Sequence, residues 1–491
     1  MTRPVFLIWP ADISRQSALY PPLGLAYLYS ALQRRGITAT MVDLAFDPAL
    51  RAMAEVRAQG GIYGLSFTTS MIKDVRRCVE MIRRSDPEGV IVMGGPHATV
   101  FPEACVAELD ADFVLTAEGE NSFPELVAAL SSGEECGDLP GLVRRTAGAI
   151  LRNPAAEPIP DLDALPVPDQ SVFPVERYFA LKGFRELSMY TSRGCPGRCT
   201  FCQPTLDALF GKKIRYHSAS RIVSEMEELA ARFKLDLIVM SDDTFAVRKD
   251  RVQELCRELI RRNVPVFWRV QTRVKGLDRE TVRLMKRAGC VAMAFGVESG
   301  SQKILDGIRK NVKIADIKEI FRVCREEGMP THAFLMVGNF GESEETIRET
   351  EALLREIKPF SSNVSVTTPY PGTYLFDQAA ERGLLKHRDW EKFDHILSDS
   401  LHLELDGLTV DDLNAFKKRL LDVQDHTWQR IATLFKLAFD YWFIRRALKL
   451  VLANPGFVLR ALRAAVRGVA RAGFELTNPR TKATRIYGSA E

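Results

Sequence analysis

Long apolar runs are missing from this sequence: no uninterrupted stretch reaches the roughly 20 residues of a membrane span, so no membrane-crossing helix is expected. No secretory leader is expected either. The opening Met1-Thr2-Arg3-Pro4 leads directly into Val5–Trp9, which is too short for a signal-peptide core and has no small-residue cleavage pattern. Charge of one sign is scarce. The 67 Lys and Arg stand against 63 Asp and Glu, and a net +4 over 491 residues gives no reason to expect a nucleic-acid partner. Cysteine is sparse as well, nine in all with a single close group, which suits a reducing cytosol better than a disulfide framework.

That group is Cys195, Cys199 and Cys202 in Arg193-Gly-Cys-Pro-Gly-Arg-Cys-Thr-Phe-Cys-Gln203, directly after an expected strand, Leu187–Thr191. No fourth cysteine joins it. A structural zinc site wants four N or S ligands, and the next cysteine, Cys256, lies in a helical pattern. Three thiolates at this spacing can hold three corners of a 4Fe-4S cubane and leave one iron open for a ligand. Cys78 and Cys105 sit on helical patterns and read as small core hydrophobes, poor candidates for a second cluster, while Cys136 in a polar loop stays unassigned.

A chain this long needs more than one hydrophobic core. In residues 1–145, apolar runs at Val5–Trp9, Ala39–Leu44, Ile62–Phe67, Val90–Met93 and Phe113–Thr116 alternate with helical patterns at Leu23–Arg35, Val75–Arg84 and Glu103–Leu109. This predicts an α/β domain, a doubly wound parallel sheet that binds ligands at the strands' carboxyl ends. Loops at those ends contain Pro22 and Gly24, Ser66 and Thr68, Gly94, Gly95 and His97, then Glu118, Gly119 and Glu120. Residues 146–183, with six prolines between 152 and 174, read as an extended surface connector. From 184 to 376 six strand-helix units predict a partial (β/α)6 barrel, with its chemistry at the strand C-termini. Residues 377–491 read as helical.

The cysteine motif, with Phe201 before its last thiol, resembles the signature of the radical S-adenosylmethionine (SAM) enzymes. The resemblance extends over residues 184–376. It implies that the open iron chelates SAM, that Asp242 or Asp243 meets its amino group, and that Arg269 or Arg273 meets its carboxylate or pairs with those aspartates. Gly296-Val-Glu-Ser-Gly300 resembles the segment that reaches the SAM ribose, which gives Gly296, Glu298 and Ser299 as candidates. In Gly338-Asn-Phe-Gly341, Asn339-Phe340 stands where Leu-Pro or Phe-Pro is more usual, whereas Thr368-Pro-Tyr-Pro-Gly-Thr373 matches the sixth-strand motif. Residues 5–130 resemble the cobalamin-binding domain that precedes the cluster domain in the cobalamin-dependent, or class B, branch. The ten loop residues from Pro22 to Glu120 are then the cobalamin candidates. An Asp-x-His-x-x-Gly string is absent, which implies a cobalamin without a His ligand; His97 is either a lower ligand or a loop residue contacting the corrin edge or capping a helix.

This resemblance implies an enzyme with three cofactors, a 4Fe-4S cluster, SAM and cobalamin, that methylates an unactivated carbon of a small-molecule or lipid-like substrate. Its electron donor would be a flavodoxin or ferredoxin. Radical oxidation, cyclisation or ring rearrangement without methyl transfer is the alternative, and a non-catalytic sensor a third reading. No side-chain general base is implied. The tail adds one further expectation: between Lys436 and Arg471 it holds eight basic residues against Asp440 alone. Trp428–Leu452 is expected to pack on the barrel, and Phe457–Phe474 is a candidate for contact with an anionic membrane surface.

Overall fold

A computed structural model of the chain describes residues 3–10, 20–46, 60–134, 136–393, 403–405, 407–423, 433, 436, 440–454 and 456–460. The apolar runs of the first third form strands β1 (Val5–Trp9), β2 (Ala39–Asp43), β3 (Ile62–Ser66), β4 (Val90–Gly94) and β5 (Phe113–Leu115). All five are parallel, in the spatial order β2-β1-β3-β4-β5. Every side chain of β1 is buried, as a strand covered on both faces requires. The order reverses between β1 and β3, the point at which a doubly wound sheet opens its ligand crevice.

The sheet runs past residue 145. β6 (Leu142–Thr146) and β7 (Ala149–Arg152) form an antiparallel hairpin on β5, so the expected boundary cuts through a strand pair. Its two-residue turn puts both Ala147 and Gly148 at positive φ. Such a turn favours Asn-Gly, and Ala-Gly gives no comparable signal in a sequence. The connector also departs from expectation, because it is wedged inward rather than laid on the surface. Ile159, Leu162 and Leu165 pack with Tyr27 in a small core of their own, and the connector ends in a helix, Val175–Lys182.

The second sheet contains β8 (Glu186–Met189) and, after an antiparallel ribbon of β9 (Ser192–Arg193) and β10 (Arg215–Tyr216), β11 (Leu237–Met240), β12 (Phe267–Thr272), β13 (Cys290–Glu298), β14 (Thr331–Val337) and β15 (Ser361–Val366). The six long strands are all parallel and ordered β8-β11-β12-β13-β14-β15, so the edges β8 and β15 are not paired and the barrel is partial. Alternation along β13 separates its two faces. Met293, Phe295 and Val297 enter the core under the helices, whereas Ala292, Ala294 and Gly296 are small, partly exposed and leave the concave side open. Ser218, Asp278, Ser343 and Thr373 each cap a helix by accepting from a backbone N–H three residues on, which explains where those helices begin.

Cys78, Cys105 and Cys256 are fully buried among apolar neighbours, as core residues should be. Helix Val410–Asp422 lays Leu413, Phe416 and Leu420 on the barrel core, and helix Tyr441–Ala453 closes the described structure. Trp428 and residues 461–491 lie outside the described residues, and with them most of the expected membrane segment.

Candidate functional site

The carboxyl ends of the first sheet and of β8 and β11 in the second face one cavity of about 400 Å³. From the first sheet come Pro22 and Gly24 beside Trp9, Ser66 and Thr68 after β3, Gly94 and Gly95 after β4, and Glu118, Gly119 and Glu120 after β5. From the second come Tyr190, Ser192, Arg193, Ser241 and Asp243. Nine of the ten candidates from the first domain thus meet at one place, although they are spread over a hundred residues of sequence. A side chain at Gly95 is excluded: its φ is +87°, and a Cβ there would stand 2.7 Å from Ser66 Oγ and 2.9 Å from the Phe67 nitrogen. Gly24, by contrast, faces open space.

His97 is the tenth, and it points elsewhere. Its ring is 1% exposed, packed against Phe67, Phe101 and Trp390, with Nδ1 3.0 Å from Thr69 Oγ1. Burial lowers its pKa to about 4, so it is a neutral core imidazole. No histidine lines the described cavity wall.

Glu118 and Glu120 stand at the cavity, but their carboxylates serve another purpose. Arg193, two residues before the first cysteine of the motif, donates from Nη1 to Glu118 Oε1 and from Nη2 to Glu120 Oε1, each at 2.5 Å. Arg215 and the Ile159 N–H fill the second oxygen of Glu118, at 2.7 and 2.9 Å. Arg193, Glu118 and Glu120 are all buried, and Tyr27 lies under the Arg193 guanidinium at 4.9 Å. A forked donor between two carboxylates is a task for Arg rather than Lys. In this structure the two carboxylates form a bridge that locks the loop after β5 to the thiol loop.

In the thiol loop Cys199 is buried, while Cys195 and Cys202 are partly exposed. The hydrogen bond from Cys202, aided by the charges of Lys310 and Arg273 and opposed by burial, brings the Cys199 thiol to about 6, while Cys202 is pushed up as the partner that keeps the proton. The Arg273 guanidinium lies 2.8 Å from where a Gly197 side chain would be, and Arg273 Nη2 donates to the Lys310 carbonyl at 2.6 Å. Two cations beside three thiols favour the thiolate form that iron requires. Three thiols on one loop are one ligand short of a structural zinc site and match three corners of a cubane, so the donor set fits a cluster better than zinc.

Beside the loop, Lys310 Nζ donates to Glu298 Oε1 at 2.6 Å, both residues being buried. A Cβ on Gly296 would stand 2.6 Å from each of these atoms, which explains the glycine. Glu298 itself adopts φ +65° at an irregularity in the β13–β14 register, so its carboxylate is turned back over the strand end. Phe201 is partly buried, with its ring 5.8 Å from Lys310 Nζ. Lys310 was invisible in the sequence. It follows a short helix, twelve residues after Glu298, and no periodic pattern links the two.

Three other candidates are redirected. Asp242 accepts from the Thr191 and Ser192 backbone N–H groups (2.5 and 3.2 Å) and from both hydroxyls, so its carboxylate is fully engaged in bracing the β8–β9 turn. Its neighbour Asp243 faces the cavity, accepts from the Gly194 N–H at 3.0 Å, and is raised by burial to about 6. Arg269 lies lower in the barrel, donating to Tyr20 Oη at 2.7 Å and standing 3.5 Å from Glu186, so Arg273 is the arginine at the thiol loop. Ser299 is turned into helix Glu344–Ile357, with Oγ 3.3 Å from Thr350 Oγ1.

Comparison with known proteins gives the same two halves. The B12 binding domain model matches residues 16–127, and the radical SAM superfamily model matches residues 189–354. An uncharacterized methyltransferase of Pyrococcus horikoshii is 28% identical over 460 residues, 93% of this chain and 94% of that protein. The anaerobic magnesium-protoporphyrin IX monomethyl ester cyclase of Rubrivivax gelatinosus is 27% identical over 77% of this chain and 69% of its own length. Among solved structures, the radical S-adenosylmethionine methyltransferase TsrM of Kitasatospora setae, with cobalamin and a 4Fe-4S cluster bound, superposes with a TM-score of 0.73. At 20% identity it covers 93% of this chain and all of that one, a likeness of fold.

Proposed function

We propose that this chain, which belongs to the cobalamin-dependent radical SAM enzymes, transfers a methyl group to an unactivated carbon of a small-molecule substrate. The observation that carries the reading is the cavity shared by the strand ends of the first sheet and by those of β8 and β11, whose lining residue Arg193 leads into the thiol loop. When bound, the cluster supplies one-electron cleavage of SAM to a hydrogen-abstracting radical, and cobalamin supplies the methyl carrier. Cys195, Cys199 and Cys202 hold the cluster, with Arg273 and Lys310 offsetting thiolate charge. Gly296 and the free oxygen of Glu298 serve the SAM side beside Phe201. Pro22, Gly24, Ser66, Thr68, Gly94, Gly95 and Gly119 form the cobalamin wall. Arg193, Glu118 and Glu120 position the two cofactors relative to each other, and burial at their bridge excludes water from the junction.

An electron donor such as flavodoxin or ferredoxin belongs to this reading, as does contact between the C-terminal region and a membrane. Nucleic acid does not. The test is anaerobic turnover of reconstituted protein with reductant, methyl-labelled SAM and a small-molecule extract as substrate source. Label in a new product alongside deoxyadenosine supports transfer. Deoxyadenosine with a changed but unlabelled product refutes methylation in favour of oxidation or cyclisation, and no deoxyadenosine refutes the enzyme reading.

A further inference from the structure

Helices of soluble proteins bury their apolar face, and helix Tyr441–Ala453 does so only in part. Its inner face is bolted to the barrel: Phe443 stacks on Phe267 at 4.9 Å, Leu450 is buried, and Arg446 Nη1 donates to the carbonyls of Val264 and Val266. Just beyond it, Asn454 Nδ2 donates to the Lys234 carbonyl at 2.6 Å, and Arg460 pairs with Asp236 at 2.6 Å. The opposite face is also apolar. Ile444, Leu448 and Leu452, spaced by four residues, project outward with Tyr441; Leu448 is 61% and Leu452 83% exposed. Val458 and Leu459, just beyond the helix, are exposed as well. Of the nine large apolar residues exposed among the described residues, these six fall within nineteen positions. A contiguous patch of this kind marks an interaction surface.

Charge selects the partner. From Tyr441 to Phe474 the sequence has seven Lys and Arg and no Asp or Glu; Arg446 and Arg460 are turned to the barrel, and Arg445 and Lys449 flank the outward stripe on the helix. An apolar stripe edged by cations is the pattern of a helix lying in the headgroup region of an anionic bilayer. We propose that helix Tyr441–Ala453 docks the enzyme on an anionic phospholipid surface through Tyr441, Ile444, Leu448 and Leu452. The helix packs at the N-terminal edge of the barrel strands, against Phe267 and Val264, whereas the thiol loop is at their C-terminal edge. The contact therefore places the enzyme on the membrane while the cofactor cavity faces away from it. This surface deepens the membrane contact named above and is independent of the radical chemistry, so either can fail alone.

Full-length cofactor-loaded protein is sedimented with vesicles of phosphatidylcholine alone and of phosphatidylcholine mixed with phosphatidylglycerol. The expected result is binding to the anionic vesicles, weakened by salt, and at least a tenfold loss, roughly, for L448E/L452E. An unchanged circular dichroism spectrum and melting temperature in the variant show that the fold is intact; both side chains are mostly exposed, so little packing is removed. Three results overturn the proposal: wild type that stays in the supernatant, a variant that binds as tightly as wild type, or light scattering that shows a dimer which L448E/L452E converts to monomers. The last assigns the face to a second copy of the chain.

Discussion

Replacing Arg193 by Gln isolates the bridge between the two cofactor domains. Of its two partners, Glu118 keeps Arg215 and the Ile159 N–H, so the carboxylate left without a cation is that of Glu120, whose side chain is 7% exposed. Breaking a buried ion pair from one side costs about 3–5 kcal/mol, because the remaining charge is desolvated and uncompensated. The lower end applies here, since Glu118 retains its other contacts. About 3 kcal/mol corresponds to roughly 150-fold easier local opening. Hydrogen exchange followed by mass spectrometry reads this directly in the thiol loop, where the Thr200 N–H donates to the Ile308 carbonyl and the Gln203 N–H to the Cys199 carbonyl. Amides of β14, remote from the bridge, serve as the internal reference. The double variant R193Q/E120Q removes the stranded charge as well and is expected to recover at least half of the loss, roughly, the sign of a coupled pair. In loaded protein, relaxation of the cob(II)alamin EPR signal by the reduced cluster should weaken in R193Q at unchanged iron and corrin content. Exchange within about threefold of wild type, or no recovery in the double variant, refutes the argument.

Removing Lys310 as Met takes a cation from beside Cys199, so that thiol's pKa rises and its alkylation by iodoacetamide in cluster-free protein slows at pH 7; an unchanged pH profile contradicts the assignment. Asp243, raised to about 6 from an unfolded value near 4, makes folding lose stability as pH rises from about 4 through about 6, because the unfolded chain releases that proton first. D243N keeps an acceptor for the Gly194 N–H and should stabilise cofactor-free protein by roughly 2–3 kcal/mol at pH 7 and by nothing at pH 4, measured by urea titration at both values. Changing Cys195, Cys199 and Cys202 together to Ala should abolish bound iron and sulfide while corrin binding persists, since the cobalamin wall lies on other loops; loss of both cofactors overturns that separation.

Sequence alone determined the parts that local chemistry encodes. The thiol triplet needs only its spacing, and the strands of the first sheet need only short apolar runs, because a strand buried on both faces carries no other pattern, whereas β13 alternates and β15 opens on Ser361-Ser-Asn363. The loops after β1, β3, β4 and β5 were legible for the same reason: a parallel sheet sends its ligand-binding loops to one edge whatever their distance in sequence. What stayed hidden depends on partners far along the chain. The β6–β7 hairpin turns on Ala147-Gly148, which gives no strong turn signal, and the connector's inward packing depends on Tyr27. Side-chain destinations at the site were decided by tertiary contacts: Asp242 by the turn it braces, Ser299 by Thr350, Arg269 by Tyr20, and His97 by three aromatic rings. Lys310 and the Arg193 bridge are the clearest cases. A residue type announces that it is charged, but only the fold determines which buried opposite charge it meets, and in a low-dielectric interior that meeting sets its role.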